Sequence, residues 1–106
     1  MAVVSVTTAT VKPDRFEDAL AELRKSKAFT EKCGGKNVRL VAALVAGEAT
    51  GSLAFITEAD DFAAIGAVTD KFVGDPEGQA IFARASSAAG PFVPARQTSM
   101  WVDVPL

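Results

Sequence analysis

Histidine and tyrosine are absent from the 106 residues, and cysteine and tryptophan occur once each, as Cys33 and Trp101. Without histidine there is no Ser/His/Asp arrangement and no base to turn a cysteine into a thiolate. A lone cysteine excludes an intramolecular disulfide and any cysteine-clustered metal site. Cys33 also falls at the end of a predicted helix, where the dipole disfavours an anion, so it reads as a small apolar helix residue. Phosphate loops, zinc spacings and nucleophile elbows are missing as well. With 11 basic against 13 acidic side chains, net charge is −2 and no basic block occurs, which argues against a nucleic-acid partner. No apolar run is long enough to span a membrane. The stretch from Met1 to Val11 is too short for a signal peptide and lacks a basic leader, so a cytoplasmic protein is expected.

What is present is apolar. Hydrophobic residues make up 49% of the chain, enough for one core, and the expectation is a single domain over residues 1–106. Val3 to Val11 reads as a strand. Lys12-Pro13-Asp14 breaks it and starts a helix of about 18 to 20 residues, roughly 28 Å long. Phe16, Leu20 and Leu23 form its apolar stripe, Ala19 widens it, and Cys33-Gly34-Gly35 ends it. Asn37 to Ala46 and Gly51 to Thr57 read as two strands joined through Gly47-Glu48-Ala49-Thr50, which suits a hairpin. Asp60-Asp61 opens a second helix carrying Phe62, Ile65, Val68 and Phe72, and Gly74 stops it. In Asp75-Pro76-Glu77 an N-cap, a first-turn proline and an acid start a third helix, which runs to about Ala89 with Ile81, Phe82 and Ala85 inward. Gly90-Pro91 closes that helix, and a last strand follows from about Ala95 to Val104.

The order is βαββαβ with the second helical segment broken in two. Two right-handed crossovers then place the helices on one face of a four-stranded antiparallel sheet, a ferredoxin-like α+β fold. A sheet covered on one side alternates apolar with polar residues, and this one does not. Val38, Leu40, Ala42 and Leu44 oppose Val41, Ala43 and Val45 along the second strand; Leu53 and Phe55 oppose Ala54 and Ile56 along the third. Such a face left in water would form a large apolar patch, so a homodimer packed through its sheets is expected.

The element order, together with Cys33-Gly34-Gly35, the segment Val45-Ala46-Gly47-Glu48-Ala49-Thr50-Gly51 and the break at Gly74-Asp75-Pro76, resembles the dimeric α/β-barrel superfamily. That group includes antibiotic-biosynthesis-type monooxygenases, NIPSNAP-like proteins and stress-responsive small barrels. The resemblance covers nearly the whole chain. It implies paired four-stranded sheets forming a barrel, helices outside, and a small-molecule pocket between sheet and helices of each subunit. Haem-binding relatives use an axial histidine, which this chain lacks; no cofactor is expected, and a metal would need an all-carboxylate site. The tyrosine and histidine often found around aromatic substrates in cofactor-free members are absent too.

Polar side chains within apolar strands are the candidate site residues, because burying one costs free energy unless it is paired or faces a cavity. Arg39 and Arg96 are the first two. A guanidinium in a pocket holds a carboxylate, phenolate or enolate by paired hydrogen bonds; at a strand end it reaches water or an acidic neighbour along its stem. Trp101 is either a pocket wall or an interface residue. Asn37, after two glycines, reads as a turn residue. Ser5, Thr7, Thr8 and Thr10 offer hydroxyls or are simply good strand formers, and Phe16, Phe62, Phe72 and Phe82 would line any sheet-to-helix cavity. Asp60, Asp61, Asp75 and Glu77 read as helix-start carboxylates. The expected function is a pocket for an apolar or aromatic small molecule, used by a cofactor-independent monooxygenase, isomerase or cyclase. The alternative is a non-catalytic binding or accessory protein of the same fold.

Overall fold

Local capping chemistry places most of the helix boundaries in the computed structural model, which describes residues 2–44, 52–93 and 97–106. The elements are β1 (Val3–Ala9), α1 (Phe16–Lys32), β2 (Lys36–Ala42), β3 (Leu53–Ala59), α2 (Phe62–Gly74), α3 (Pro76–Ser86) and β4 (Gln97–Val102). Asp61 caps α2, its carboxylate accepting from the Ala64 amide at 2.7 Å, and Asp75 caps α3 by accepting from the Glu77 amide at 2.8 Å. Pro76 occupies the first turn of α3, where its missing N–H has no intrahelical partner to lose. At the end of α1 the Gly35 amide donates to the Thr30 carbonyl and the Gly34 amide to the Glu31 carbonyl, each at 3.0 Å. With Gly34 at φ +105°, this is a Schellman closure, a conformation that needs a residue without Cβ.

Strand order is β2-β3-β1-β4, and every neighbouring pair is antiparallel. The α+β ferredoxin-like arrangement expected from the sequence is therefore the one observed. Several boundaries differ. β1 stops at Ala9, and Val11 makes only an isolated bridge to Phe92. α1 begins at Phe16 rather than at the proline, because Asp14 takes φ +63° and turns the chain once more before the helix. α3 ends at Ser86, where Ser87 goes extended, three residues short of Ala89. β2 ends at Ala42; the hairpin predicted at Gly47–Thr50 lies outside the described residues.

Register fixes the two faces. Val3, Ser5, Thr7 and Ala9 of β1 pair with Ala59, Thr57, Phe55 and Leu53 of β3, on the side toward the helices. Val4, Val6 and Thr8 pair with Glu58, Ile56 and Ala54 on the opposite side, where Arg39, Val41, Trp101, Ser99 and Gln97 also stand.

The core has two parts. Between sheet and α2, Val3, Ala59 and Ile65 pack together with Ala64. Among the helices, Phe29, Cys33, Val68 and Ile81 cluster with Phe72, whose ring meets Phe29 edge-on at 5.1 Å between centroids. Ala19, Ile65, Val68 and Ile81 are buried as expected. Phe16 and Phe62 are not: they are 51% and 60% exposed, each in the first turn of its helix, outside the stretch that meets the sheet; Phe82, expected inward, is 58% exposed at the edge of the space under α3. α3 rests on α1 and α2 rather than on the sheet, and Gly78 is what lets it approach. A Cβ there would sit 1.8 Å from the Phe72 carbonyl oxygen and 2.9 Å from the Phe29 ring.

Candidate functional site

A cavity of about 220 Å³ lies between the sheet and the three helices. Its floor is the helix-side face of the sheet, with Ser5, Thr7 and Ala9 from β1, Leu53, Phe55 and Thr57 from β3, and Leu40 from β2. Glu22, Leu23, Ser26 and Thr30 of α1 form one wall, and Ile65, Val68, Thr69 and Phe72 of α2 the other. α3 roofs it with Ile81, Phe82 and Ala85. The volume exceeds the roughly 150 Å³ of apolar space known to hold benzene. It is therefore large enough for a ring-sized ligand.

The lining is apolar with scattered hydroxyls. Ser5 and Thr57 face each other across the β1–β3 ladder, and the Thr7 hydroxyl shares a 2.9 Å hydrogen bond with that of Thr98. The Thr69 hydroxyl is taken by the Ile65 carbonyl at 3.0 Å. Among the described residues Glu22 is the one ionisable group in the lining. Its side chain is only 15% exposed, and Arg84 of α3 donates Nε to both carboxylate oxygens at 3.2 and 3.0 Å. Lys25 stands 3.6 Å away, one turn along α1. The sequence signal for Glu22 was its spacing. Glu22, Ser26 and Thr30 recur every four residues beside the apolar stripe, so one helix flank carries all three.

The residues singled out from sequence fall elsewhere. Arg39 projects from the sheet face opposite the helices, where its guanidinium donates to Glu58 Oε2 at 2.6 Å and to the Asn37 carbonyl at 2.9 Å. Asn37 is the turn residue expected. It adopts φ +48° within a register shift between Lys36 and Arg39, and its amide donates to the same Glu58 carboxylate. These donors, Arg39 first and Asn37 second, hold the Glu58 carboxyl below the ordinary carboxylate range. Trp101 is 63% exposed on that same face, at the opposite edge of the sheet, and donates its indole N–H to the Ser99 hydroxyl at 2.9 Å. Neither residue lines the cavity, and the two do not meet. Arg96 lies outside the described residues. Of the phenylalanines, Phe72 and Phe82 line the cavity and Phe16 and Phe62 do not.

Cys33 is buried against Phe29 and Val68, and burial, then the nearby Asp75, pushes its thiol up. It behaves as the structural residue expected. Among the described residues no three His, Cys, Asp or Glu side chains gather as a metal site, and no helix is long and apolar enough to cross a membrane.

Two layers, with helices on one face of a four-stranded antiparallel sheet and a cavity beneath them, make a ferredoxin-like fold; the far sheet face, expected to be apolar, instead interleaves apolar side chains with Thr8, Arg39, Glu58, Ser99 and Gln97. Solved structures share this fold. The chain superposes on a NIPSNAP family protein from Agrobacterium tumefaciens with TM-score 0.75 at 11% identity, covering 97% of this chain and 86% of that one. A NIPSNAP domain protein from Burkholderia xenovorans gives TM-score 0.69 at 17% identity, covering 96% and 94%. A putative antibiotic biosynthesis monooxygenase from Bordetella bronchiseptica gives 0.70 at 13%, covering 98% of each chain. At these identities the likeness is one of fold. No protein-family model and no curated protein matches the sequence.

Proposed function

We propose that the protein is a homodimeric α/β barrel that binds an apolar or aromatic small molecule in the cavity of each subunit. The observation that carries this is the cavity itself. A space of about 220 Å³ remains open beneath three helices in a chain with ample alanine, valine and phenylalanine to fill it, and its walls mix apolar side chains with hydroxyls. Dimerisation is supported by the far face of the sheet, which no described helix covers and which presents Val4, Val6, Ala54, Val41 and Trp101 among the polar Thr8, Ser99 and Gln97 and the Arg39–Glu58 pair. Burying such a face against its copy contributes on the order of 25 cal/mol per Å² before the cost of association.

Cofactor-independent oxygenation, isomerisation or cyclisation of the ligand is a second reading, favoured by the likeness to proteins described as antibiotic biosynthesis monooxygenases. Since Arg39 and Trp101 stand outside the cavity, such chemistry would draw, among the described residues, on Glu22 and the hydroxyls. The test of the binding function is a thermal-shift screen of apolar aromatics. A ligand at 100 times its dissociation constant adds about 2.7 kcal/mol of stability. Silence across a broad panel of ring-sized compounds would overturn the proposal.

A further inference from the structure

Among the described residues the cavity has one charged wall group, and its position bears on what the cavity accepts. Glu22 projects from α1 among Leu23, Ser26 and Phe82, with its side chain 15% exposed. Its counter-charges sit outside it. Arg84 and Lys25 have side chains 46% and 59% exposed, and neither contributes to the lining. A molecule inside the cavity therefore meets the carboxylate first and the cations only behind it. A carboxylate has about four acceptor sites, and Arg84 uses one on each oxygen through a single Nε–H. Both oxygens keep accepting capacity for a donor on the cavity side.

We propose that Glu22 is the specificity-determining residue of the cavity: it selects neutral apolar ligands carrying an O–H or N–H donor and excludes carboxylates and other anions. This rests on the cavity being the binding site. The selection has two sources. A hydrogen bond to a charged acceptor in a mostly apolar space is stronger than one between neutral groups. An anion entering the same space loses its hydration and faces a like charge, whose guanidinium partner is engaged with that charge and does not line the cavity. The expected ligand is thus an alcohol, phenol or amide on a ring-sized apolar body, the reverse of the anion that an arginine-lined pocket would hold.

Three probes of one size test this by calorimetry: 2-naphthalenemethanol, its methyl ether and 2-naphthoate. The alcohol should bind the wild-type protein about tenfold or more tighter than the ether, since a hydrogen bond to a charged group is worth about 1.5 kcal/mol at least, and the naphthoate should bind weakest. In Glu22→Gln, which keeps the shape, the alcohol-to-ether ratio should fall to a few-fold and the naphthoate should gain about tenfold. Arg84→Leu separates recognition from a merely structural clasp between α1 and α3. It breaks the same ion pair but leaves the carboxylate, so the alcohol preference should persist. Equal wild-type affinities for alcohol and ether, or naphthoate binding tightest, would overturn the role of Glu22 while leaving the cavity as the binding site. So would matching losses of preference in Glu22→Gln and Arg84→Leu. No binding by any of the three would overturn both.

Discussion

Replacing Gly78 by alanine should destabilise the protein, although alanine is the better helix former. The added Cβ would lie 1.8 Å from the Phe72 carbonyl oxygen, 2.8 Å from its carbon and 2.9 Å from the Phe29 ring. Two of those atoms are backbone, so no rotamer change relieves the contact, and the start of α3 must retreat by roughly 1 Å. Overpacking of this kind costs about 1–3 kcal/mol, and a backbone obstacle belongs at the upper end. The helix-propensity gain of alanine over glycine returns at most about 1 kcal/mol. The net loss of about 2 kcal/mol corresponds to a fall in Tm of about 10 °C for a domain of this size. Gly66 provides the control, because it is exposed within α2 and a Cβ there meets nothing within 4 Å. Gly66→Ala should gain up to about 1 kcal/mol from the same propensity that Gly78→Ala cannot use. Thermal and urea unfolding of the two variants decide the matter. A Gly78→Ala protein at least as stable as wild type would refute the close approach of α3 to α2. Because Ile81, Phe82 and Ala85 descend from the same helix, ligand affinity should weaken in Gly78→Ala and stay unchanged in Gly66→Ala.

Val6→Lys places a charge at the centre of the uncovered sheet face and should shift sedimentation from dimer to monomer with the fold retained; a wild-type protein that is monomeric at micromolar concentration would remove the premise. Glu58→Gln should cost stability at neutral pH and nothing in strong acid. The folded-state value of Glu58 is depressed, so its contribution is present above the unfolded value and disappears as pH falls through the folded one; a difference from wild type that is constant with pH would contradict this. Cys33 should resist alkylation at neutral pH in the folded protein and react only on unfolding, as followed by mass spectrometry.

The parts of the fold legible in the sequence were those set by local chemistry. Asp75-Pro76-Glu77 specifies a helix start whatever surrounds it, and Ile65, Val68 and Phe72 repeat at helical spacing because one side of α2 meets the sheet and its neighbouring helices. Phe16 and Phe62 show the limit. Periodicity tells which residues share a face, yet whether another element reaches the first turn depends on where the helix lies. The strands carried a similar ambiguity. Alternation puts Arg39 with Val41 and apart from Leu40, but a sheet that mixes apolar and polar side chains on both sides does not announce which side the helices take. Glu22 is hidden in the sequence for a related reason, since a glutamate within an amphipathic helix looks like part of the solvated side until α3 folds over it. Glu58 has no sequence signature because its partners come from β2, whose register shift at Asn37 brings Arg39 and Asn37 to the same carboxylate.

α3 is held by the other helices and not by the sheet, and this separates two jobs within one small chain. The roof of the cavity can change its side chains, its tilt or even its length while the strands keep their register. The far face of the sheet, where a second copy would pack, takes no part in that variation. A lineage of such proteins could therefore move from one ligand to another through ten or so residues of α3, on a frame whose assembly stays fixed. The single glycine at its start limits how far that helix can move.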